Sequence, residues 1–202
     1  MGFGILIFGQ NGAGKSTLAH ALARETGWFE MDVEDYYFPS QRASRAAALD
    51  GRIQELPQSA DVPFSAPQSK EAVTEAIRAD ALTHPHFILS GVTVHHFPAD
   101  ILASIVLAVR LEVPLDCRLT RIHDREKYRF GDRVAEGGDM YAQQNAFRAM
   151  VKHRADTAID EREAELHCPV LPLSGETPVT ENVAVLCDWL AKNGIRPRFC
   201  SE

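Results

Sequence analysis

The sequence contains little cysteine and no excess of basic residues. Its four cysteines, among 202 residues, show no C-x-x-C spacing, which excludes a zinc knuckle or a disulfide framework. Such cysteine usage is typical of a reducing compartment, so we expect a cytoplasmic protein. The net charge of −7 argues against nucleic acid or an anionic membrane as a partner.

Long hydrophobic runs, internal repeats and low-complexity tracts are also missing. The longest apolar run covers residues 101–109, whereas about 20 residues are needed to cross a bilayer. Hydrophobic residues make up 45% and charged residues 24% of the chain, which excludes general disorder. The length indicates a single domain over residues 1–202. We expect the protein to be a monomer or a homodimer.

Short apolar segments alternate with segments of helical spacing along the chain. This order predicts an α/β fold in which a five-stranded parallel sheet is flanked by helices. One long helix is expected over about 140–165. Residues 39–67 contain four prolines and predict an irregular insertion with one or two short helices. The expected strands cover residues 3–8, 28–31, 87–90, 105–113 and 170–173.

Residues 9–17 (GQNGAGKST) match the phosphate-loop pattern G-x-x-x-x-G-K-S/T in full. The match lies between an apolar strand and a helix, as the pattern requires, so a chance glycine-rich turn is the weaker interpretation. Backbone N–H groups at the helix start would surround phosphate oxygens. Lys15 would reach the β- and γ-phosphates of ATP, and the Ser16 hydroxyl would bind Mg²⁺. The nucleotide-binding residues predicted from this segment are Gly9, Asn11, Gly12, Ala13, Gly14, Lys15, Ser16 and Thr17.

Two sequence features are missing that would indicate a GTPase or a motor-type ATPase. No Asn-Lys-x-Asp stretch is present, although a GTPase would need one to read guanine. The strand over 87–90 ends in Ser-Gly, whereas motor-type ATPases usually end this strand in Asp. The carboxylate that supports magnesium must therefore come from another segment.

Three acidic residues follow the second strand directly: Asp32, Glu34 and Asp35. The carboxyl ends of parallel strands line the ligand crevice of an open sheet, so these acids are expected opposite the phosphate loop. One would support magnesium, and another would accept the proton of an acceptor hydroxyl. The alternative is a solvated turn or a helix N-cap.

Arginines recur every three or four residues from 118 to 133. A continuous helix would place Arg118, Arg121, Arg125, Arg129 and Arg133 on one face. Such a stripe would bind phosphate, because the guanidinium group contacts phosphate at two points. The alternative is a solvated helix with salt bridges. Arg148 and Arg154, on the next helix, are weaker candidates for the same role.

The phosphate loop, the acidic cluster and the glycine that ends the third strand resemble those of the P-loop small-molecule kinases. This group includes shikimate, gluconate, adenylate and uridine kinases. The resemblance implies the three-layer P-loop NTPase fold with a small helical lid over 126–140, and ATP and Mg²⁺ as cofactors. It leaves out residues 39–67, where these kinases bind their acceptor.

Residue roles follow from the resemblance. The D-x-D segment of shikimate and gluconate kinases makes Asp32 the metal helper and Glu34 or Asp35 the acceptor-side acid. The D-x-F/Y-Y of uridine kinases makes Asp35 the base instead. The R-I-x-x-R of adenylate kinases makes Arg121 stack on adenine and Arg125 contact phosphates, with Arg129 and Arg133 in the lid. By position alone, the loop at Gly175 would wrap the adenine.

We therefore expect a kinase that transfers the γ-phosphoryl group of Mg·ATP to a small-molecule hydroxyl. Adenylate kinases place an arginine just after the glycine that ends strand three, and residues 92–98 contain none. This lowers the expectation of a nucleoside monophosphate kinase, although Arg42 and Arg45 keep an anionic acceptor open. The other alternative is an ATPase or regulatory P-loop protein that acts on a macromolecule. His95 and His96 would contact the acceptor or lie in a surface loop.

Overall fold

A parallel sheet forms the centre of the molecule. The computed structural model of the protein describes residues 2–55, 64, 66–92, 97–154 and 157–195. Within these residues the strand order is β2-β3-β1-β4-β5, and every neighbouring pair is parallel. The strands are β1 (Phe3–Gly9), β2 (Phe29–Asp32), β3 (His86–Gly91), β4 (Ile105–Glu112) and β5 (Val170–Ser174). The predicted α/β fold with five parallel strands is confirmed.

Helices connect the strands and cover both faces of the sheet. Two of them have recognisable caps: the Ser69 hydroxyl accepts the Ala72 N–H at the start of one helix, and Gly27 ends another in the left-handed conformation. The helices are α1 (Lys15–Thr26), α2 (Val33–Tyr37), α3 (Arg42–Leu49), α4 (Lys70–Thr83), α5 (Ala99–Ala103), α6 (Leu115–Phe130), α7 (Tyr141–His153), α8 (Thr157–Glu163) and α9 (Val179–Lys192).

Strand β1 supplies both hydrophobic cores, because successive side chains of a strand point to opposite faces. Leu6 and Phe8 pack with residues of α4 and α5 on one face of the sheet. Ile5 and Ile7 pack with residues of α1 and α9 on the other. All four side chains are fully buried. The result is a three-layer arrangement with the phosphate-loop segment at the carboxyl end of the central strand.

Two helix predictions differ from the structure. The helix expected over 140–165 is divided into α7 and α8, since Arg154 leaves the helical conformation with ψ 123°. Helix α6 continues to Phe130, where Gly131 ends it with φ 56°. The first five residues of the predicted lid, 126–130, therefore belong to α6, and a 3-10 turn follows over Gly131–Val134.

We predict that Leu6→Ala lowers the free energy of unfolding by about 2–5 kcal/mol, because it opens a cavity at a fully buried site. Urea denaturation measures this loss. Leu82→Ala is the matched control, since Leu82 is 59% exposed on α4, and it should change the free energy by less than about 0.5 kcal/mol. Equal losses in the two variants would contradict the assigned core.

Candidate active site

The phosphate loop connects β1 to α1 through glycines in unusual conformations. Gly12 has φ 82°, and a Cβ atom there would lie 2.6 Å from the Arg118 carbonyl oxygen. Gly14 has φ 95° and precedes the first residue of α1. These positions require glycine, and they leave the first N–H groups of α1 without partners inside the helix. The loop therefore has the backbone that an anion site needs.

Lys15 is buried at the start of α1. Its Nζ atom donates a hydrogen bond of 2.9 Å to the Gln10 carbonyl oxygen. Burial lowers the pKa of Lys15 to about 8; the positive charges of Arg125 and Arg154 act in the same direction, and Asp32 and Glu34 oppose it. An anion bound beside these three cations would relieve the cost of burying the ammonium group.

Asp32 ends β2 and caps α2. Its Oδ2 atom accepts hydrogen bonds from the Ser16 hydroxyl at 2.5 Å and from the Ser90 hydroxyl at 3.1 Å. Its Oδ1 atom accepts the Glu34 N–H at 2.9 Å. Asp32 can therefore be both the N-cap of α2 and a site residue, because its two carboxylate oxygens bind different partners.

The pairing of Ser16 with Asp32 also fits a magnesium ion. Hydroxyl and carboxylate oxygens are hard ligands, and Mg²⁺ is usually held by one or two protein groups together with phosphates and water. Within the described residues, no three His, Cys, Asp or Glu side chains form a metal cluster on their own. The residues present suit an ion that arrives with a nucleotide.

Asp35 is held by an arginine that the sequence did not connect to it. The Arg45 Nε atom donates to Asp35 Oδ1 at 2.7 Å, and Arg45 Nη2 donates to Asp35 Oδ2. Arg45 Nη1 lies 3.4 Å from Asp32 Oδ2 and 3.5 Å from Glu30 Oε1. Arg45 is buried among these acids. No local pattern could have indicated this, since the partners lie 10 to 15 residues away on other elements.

Glu34 differs from its two acidic neighbours. It lines the cleft in front of the phosphate loop. Its carboxylate has no hydrogen-bond or ion-pair partner among the residues that the structure describes. The structure thus brings all three predicted acids together, and Glu34 is the one that is open to a ligand.

The arginine stripe divides into three groups. Arg121, Arg125 and Arg129 line the cleft. Arg118 is buried and donates from Nε to the Val113 carbonyl oxygen at 3.1 Å. Arg133 lies outside the cleft lining and forms an ion pair of 2.7 Å with Asp139. Three of the five arginines therefore line the cleft, where a ligand could bind.

Arg129 connects the end of α6 to the insertion. Its guanidinium carbon lies 5.8 Å from the centre of the Phe64 ring and 5.0 Å from that of Phe130. Burial lowers the pKa of Arg129 to about 10. Its Nη2 atom is 3.5 Å from Gln41 Oε1, a long contact for a guanidinium group.

Arg154, rather than Arg148, reaches the phosphate loop. Its Nη1 atom donates to Asn11 Oδ1 at 2.9 Å. Arg148 is paired with Glu126, a buried carboxyl whose pKa burial raises. The sequence did not decide between the two arginines, because the bend at Arg154 that ends α7 was not predicted.

The cleft has a volume of about 630 Å³. At one end, the loop after β5 packs on the phosphate loop: a Cβ atom on Gly175 would lie 2.5 Å from the Ala13 carbonyl oxygen. Helix α3 contributes Arg45, Ala48 and Leu49 to the lining. The predicted residues that line the cleft are Gly12, Ala13, Gly14, Lys15, Ser16, Thr17, Glu34, Arg121, Arg125, Arg129 and Gly175. Gly9 and Asn11 are not in the lining, and His95 and His96 lie outside the described residues.

We predict that Lys15→Met stabilises the nucleotide-free protein at pH 7 by about 1–3 kcal/mol. The pKa of Lys15 in the folded state, about 8, lies below the ordinary 10.5, so the buried ammonium group opposes folding below pH 8. This cost falls as the pH rises from about 8 to 10.5, and the gain in the variant should shrink accordingly.

Urea denaturation at both ends of this pH range measures the effect. Lys152→Met, on the exposed surface of α7, is the control and should leave stability unchanged. A Lys15→Met protein that is less stable than the wild type at pH 7 would show that Lys15 supports the fold instead.

Comparison with known sequences gives a relative of similar length. The chain is 26% identical over 197 residues to the uncharacterized protein YqaC of Bacillus subtilis (strain 168), across 94% of this chain and 98% of that protein. No protein-family profile matches the chain.

Solved kinase structures have the same architecture. An unliganded sugar kinase from Janibacter sp. HTCC2649 aligns over all of both chains with a TM-score of 0.51 and 18% identity. A shikimate kinase from Aquifex aeolicus aligns with a TM-score of 0.52 and 13% identity, over 96% of this chain and 99% of that one. A shikimate kinase from Bacteroides thetaiotaomicron aligns with a TM-score of 0.50 and 17% identity, over 94% of this chain and 98% of that one. The chain thus has the same three-layer α/β fold as these sugar and shikimate kinases.

Proposed function

We propose that the protein transfers the γ-phosphoryl group of Mg·ATP to a hydroxyl group of a small molecule. The observation that carries the proposal is the 2.5 Å hydrogen bond from Ser16 to Asp32 beside a complete phosphate loop. The open carboxylate of Glu34 lines the same cleft. The sugar and shikimate kinases of the same fold support a small-molecule acceptor.

The nucleotide would occupy the cleft from the loop at Gly175 to the phosphate loop. Lys15 and the backbone N–H groups of residues 12–17 would hold the β- and γ-phosphates. Arg121 would stack on the base, and Arg125 would contact the phosphates. Ser16 and Asp32 would hold Mg²⁺, which neutralises charge on the β- and γ-phosphate oxygens when bound.

The acceptor hydroxyl would approach Glu34 on the other side of the γ-phosphate. Its proton passes to the Glu34 carboxylate as the hydroxyl oxygen bonds to the γ-phosphorus. The bond from that phosphorus to the bridging oxygen breaks, and ADP leaves with the bridging electron pair. Asp35 is the less suitable base, because Arg45 occupies both of its oxygens.

Arginines would stabilise the charge that develops on the phosphoryl group. Arg129 lines the cleft, and Arg154 lies against Asn11 of the phosphate loop. Arg133 remains a predicted lid residue that must leave Asp139 to reach the cleft. Closure of residues 126–140 would exclude water and so prevent wasteful hydrolysis of ATP.

Residues 39–67 would select the acceptor. Arg45, Ala48 and Leu49 of this segment line the cleft. Arg42 is 54% exposed at 3.8 Å from Asp35, and it would be the cation for a second, anionic group on the acceptor.

Acceptor-dependent ADP release from Mg·ATP tests the proposal. The panel holds sugars, polyols, hydroxy acids and nucleoside monophosphates, and Lys15→Ala is the blank. We expect stimulation by a hydroxyl compound and a loss of about 100-fold or more in the blank, since charge stabilisation dominates phosphoryl transfer. Stimulation by a monophosphate alone would favour a nucleoside monophosphate kinase. Stimulation by protein or RNA alone would favour a regulatory ATPase.

Glu34→Gln and Asp35→Asn should fail in different ways. We expect Glu34→Gln to lower kcat by about 10²–10⁴-fold with little change in stability, because it removes only the proton acceptor. Asp35→Asn should lower the free energy of unfolding by about 3 kcal/mol, because it leaves the buried Arg45 without its bidentate partner. Steady-state kinetics and urea denaturation of both variants separate the two roles, and the reverse pattern would make Asp35 the base.

A further inference from the structure

His20, on α1, lies between two carboxylates on different elements. Its Nδ1 atom is 2.8 Å from Glu30 Oε2 in β2. Its Nε2 atom is 3.0 Å from Oδ1 of Asp50, the residue that ends α3. The side chains are 19–24% exposed, so water reaches them only in part. One imidazole ring thus connects α1, β2 and α3.

Both contacts require a proton on the ring. An ionised carboxylate only accepts hydrogen bonds, and a neutral imidazole has one N–H group, whereas the imidazolium form has two. The hydrogen bonds from Arg52 first, and from His20 second, lower the pKa of the Asp50 carboxyl, which keeps it ionised. The geometry is therefore satisfied in full only by doubly protonated His20.

The other charged groups around His20 are arginines that form ion pairs with Glu30 and Asp50. Arg45 lies 3.5 Å from Glu30. Arg52 and Arg24 lie 2.8 and 4.0 Å from Asp50. Loss of the ring proton would leave each carboxylate with an arginine, but it would turn one ring lone pair towards a carboxylate oxygen. The contact between α1 and α3 would then weaken, while the arginine contacts remain.

The position of α3 matters for the candidate active site. Arg45 of α3 holds Asp35 and lies 3.4 Å from the Asp32 oxygen that accepts the Ser16 hydrogen bond. Ala48 and Leu49 of the same helix line the cleft. A shift of α3 would move Arg45 relative to both acids and would reshape the acceptor end of the cleft.

We propose that His20 is a positioning residue whose imidazolium form fastens α3 to the core and so holds Arg45 against Asp32 and Asp35. The fastening opens when the ring loses its proton. Only the catalytic consequence of this inference rests on the proposed function. In that function α3 would be the acceptor-binding helix, and its release would raise the KM for the acceptor more than the KM for Mg·ATP.

Amide hydrogen exchange of the nucleotide-free protein tests the fastening directly. Protection factors, corrected for intrinsic exchange, are measured at about pH 6 and pH 8.5, because histidine is the side chain type that can change its charge within this range. We expect protection of residues 42–49 to fall about fivefold at the higher pH, as for one charge-assisted hydrogen bond in a partly exposed site. Protection of β1 serves as the internal reference and should not change.

Two variants separate the charge of His20 from its packing. In His20→Gln, residues 42–49 should show the low protection at both pH values. In His20→Lys, whose ammonium group keeps its charge at pH 8.5, protection should stay high at both. His153→Gln, at the exposed end of α7, is the control and should behave as the wild type.

Protection of α3 that does not depend on pH in the wild type would overturn the proposal. So would a pH dependence that persists in His20→Gln, or a His20→Lys protein with intact β1 protection and an exposed α3 at pH 8.5. The acceptor assay is independent of these results. Its failure with a pH-dependent α3 would refute the proposed function and leave His20 as the fastening of α3.

Discussion

Two carboxylates buried beside the phosphate loop constrain the structure around them. Asp32 and Asp35 are 5% and 7% exposed, and a buried charge without partners costs several kcal/mol. Asp32 is satisfied by Ser16 on α1, Ser90 on β3 and the first turn of α2. Asp35 is satisfied by Arg45 on α3. Because each partner comes from a different element, the same bonds fix the phosphate loop, the acidic cluster and the start of the insertion relative to one another.

This arrangement brings charges of both signs to the cleft. Lys15, Arg125 and Arg154 lie close together at the phosphate loop. Burial lowers the pKa of Lys15 most, and the positive charges of the two arginines lower it further. Glu34 lines the same cleft, and its carboxylate acts on Lys15 in the opposite sense to these arginines. A polyphosphate would neutralise the cations, and a hydroxyl would find a base on the far side of the γ-phosphate. The proposed reaction follows from this combination of cations and a carboxylate rather than from any single residue.

The sequence predicted the parts of this site that depend on local pattern. The phosphate loop, the strand alternation and the acids after β2 are short-range features, and the structure has each of them where it was expected. Arg121, Arg125 and Arg129 lie on the cleft because α6 is continuous, as their spacing required. Among the described residues, no helix is long and apolar enough to span a bilayer.

The contacts that the sequence did not predict are long-range. Helical spacing grouped Arg118 and Arg133 with the other arginines. It carries no information on their actual partners, which are the Val113 carbonyl for Arg118 and the Asp139 carboxylate for Arg133. The contacts of Arg45 with Asp35 and of His20 with Asp50 depend on how the insertion folds. The sequence of the insertion contains no motif that predicts its conformation. Helix α7 ends at Arg154, whose bond to Asn11 joins residues 143 positions apart.

The most direct measurement follows the γ-phosphoryl group itself. The protein is incubated with γ-labelled Mg·ATP and a protein-free extract of small metabolites, and the label is traced among the products. The account predicts label in a phosphate ester of a small hydroxyl compound, formed by the wild type and not by Lys15→Ala. Label that appears only in inorganic phosphate, or only on a macromolecule supplied beside the extract, would contradict it.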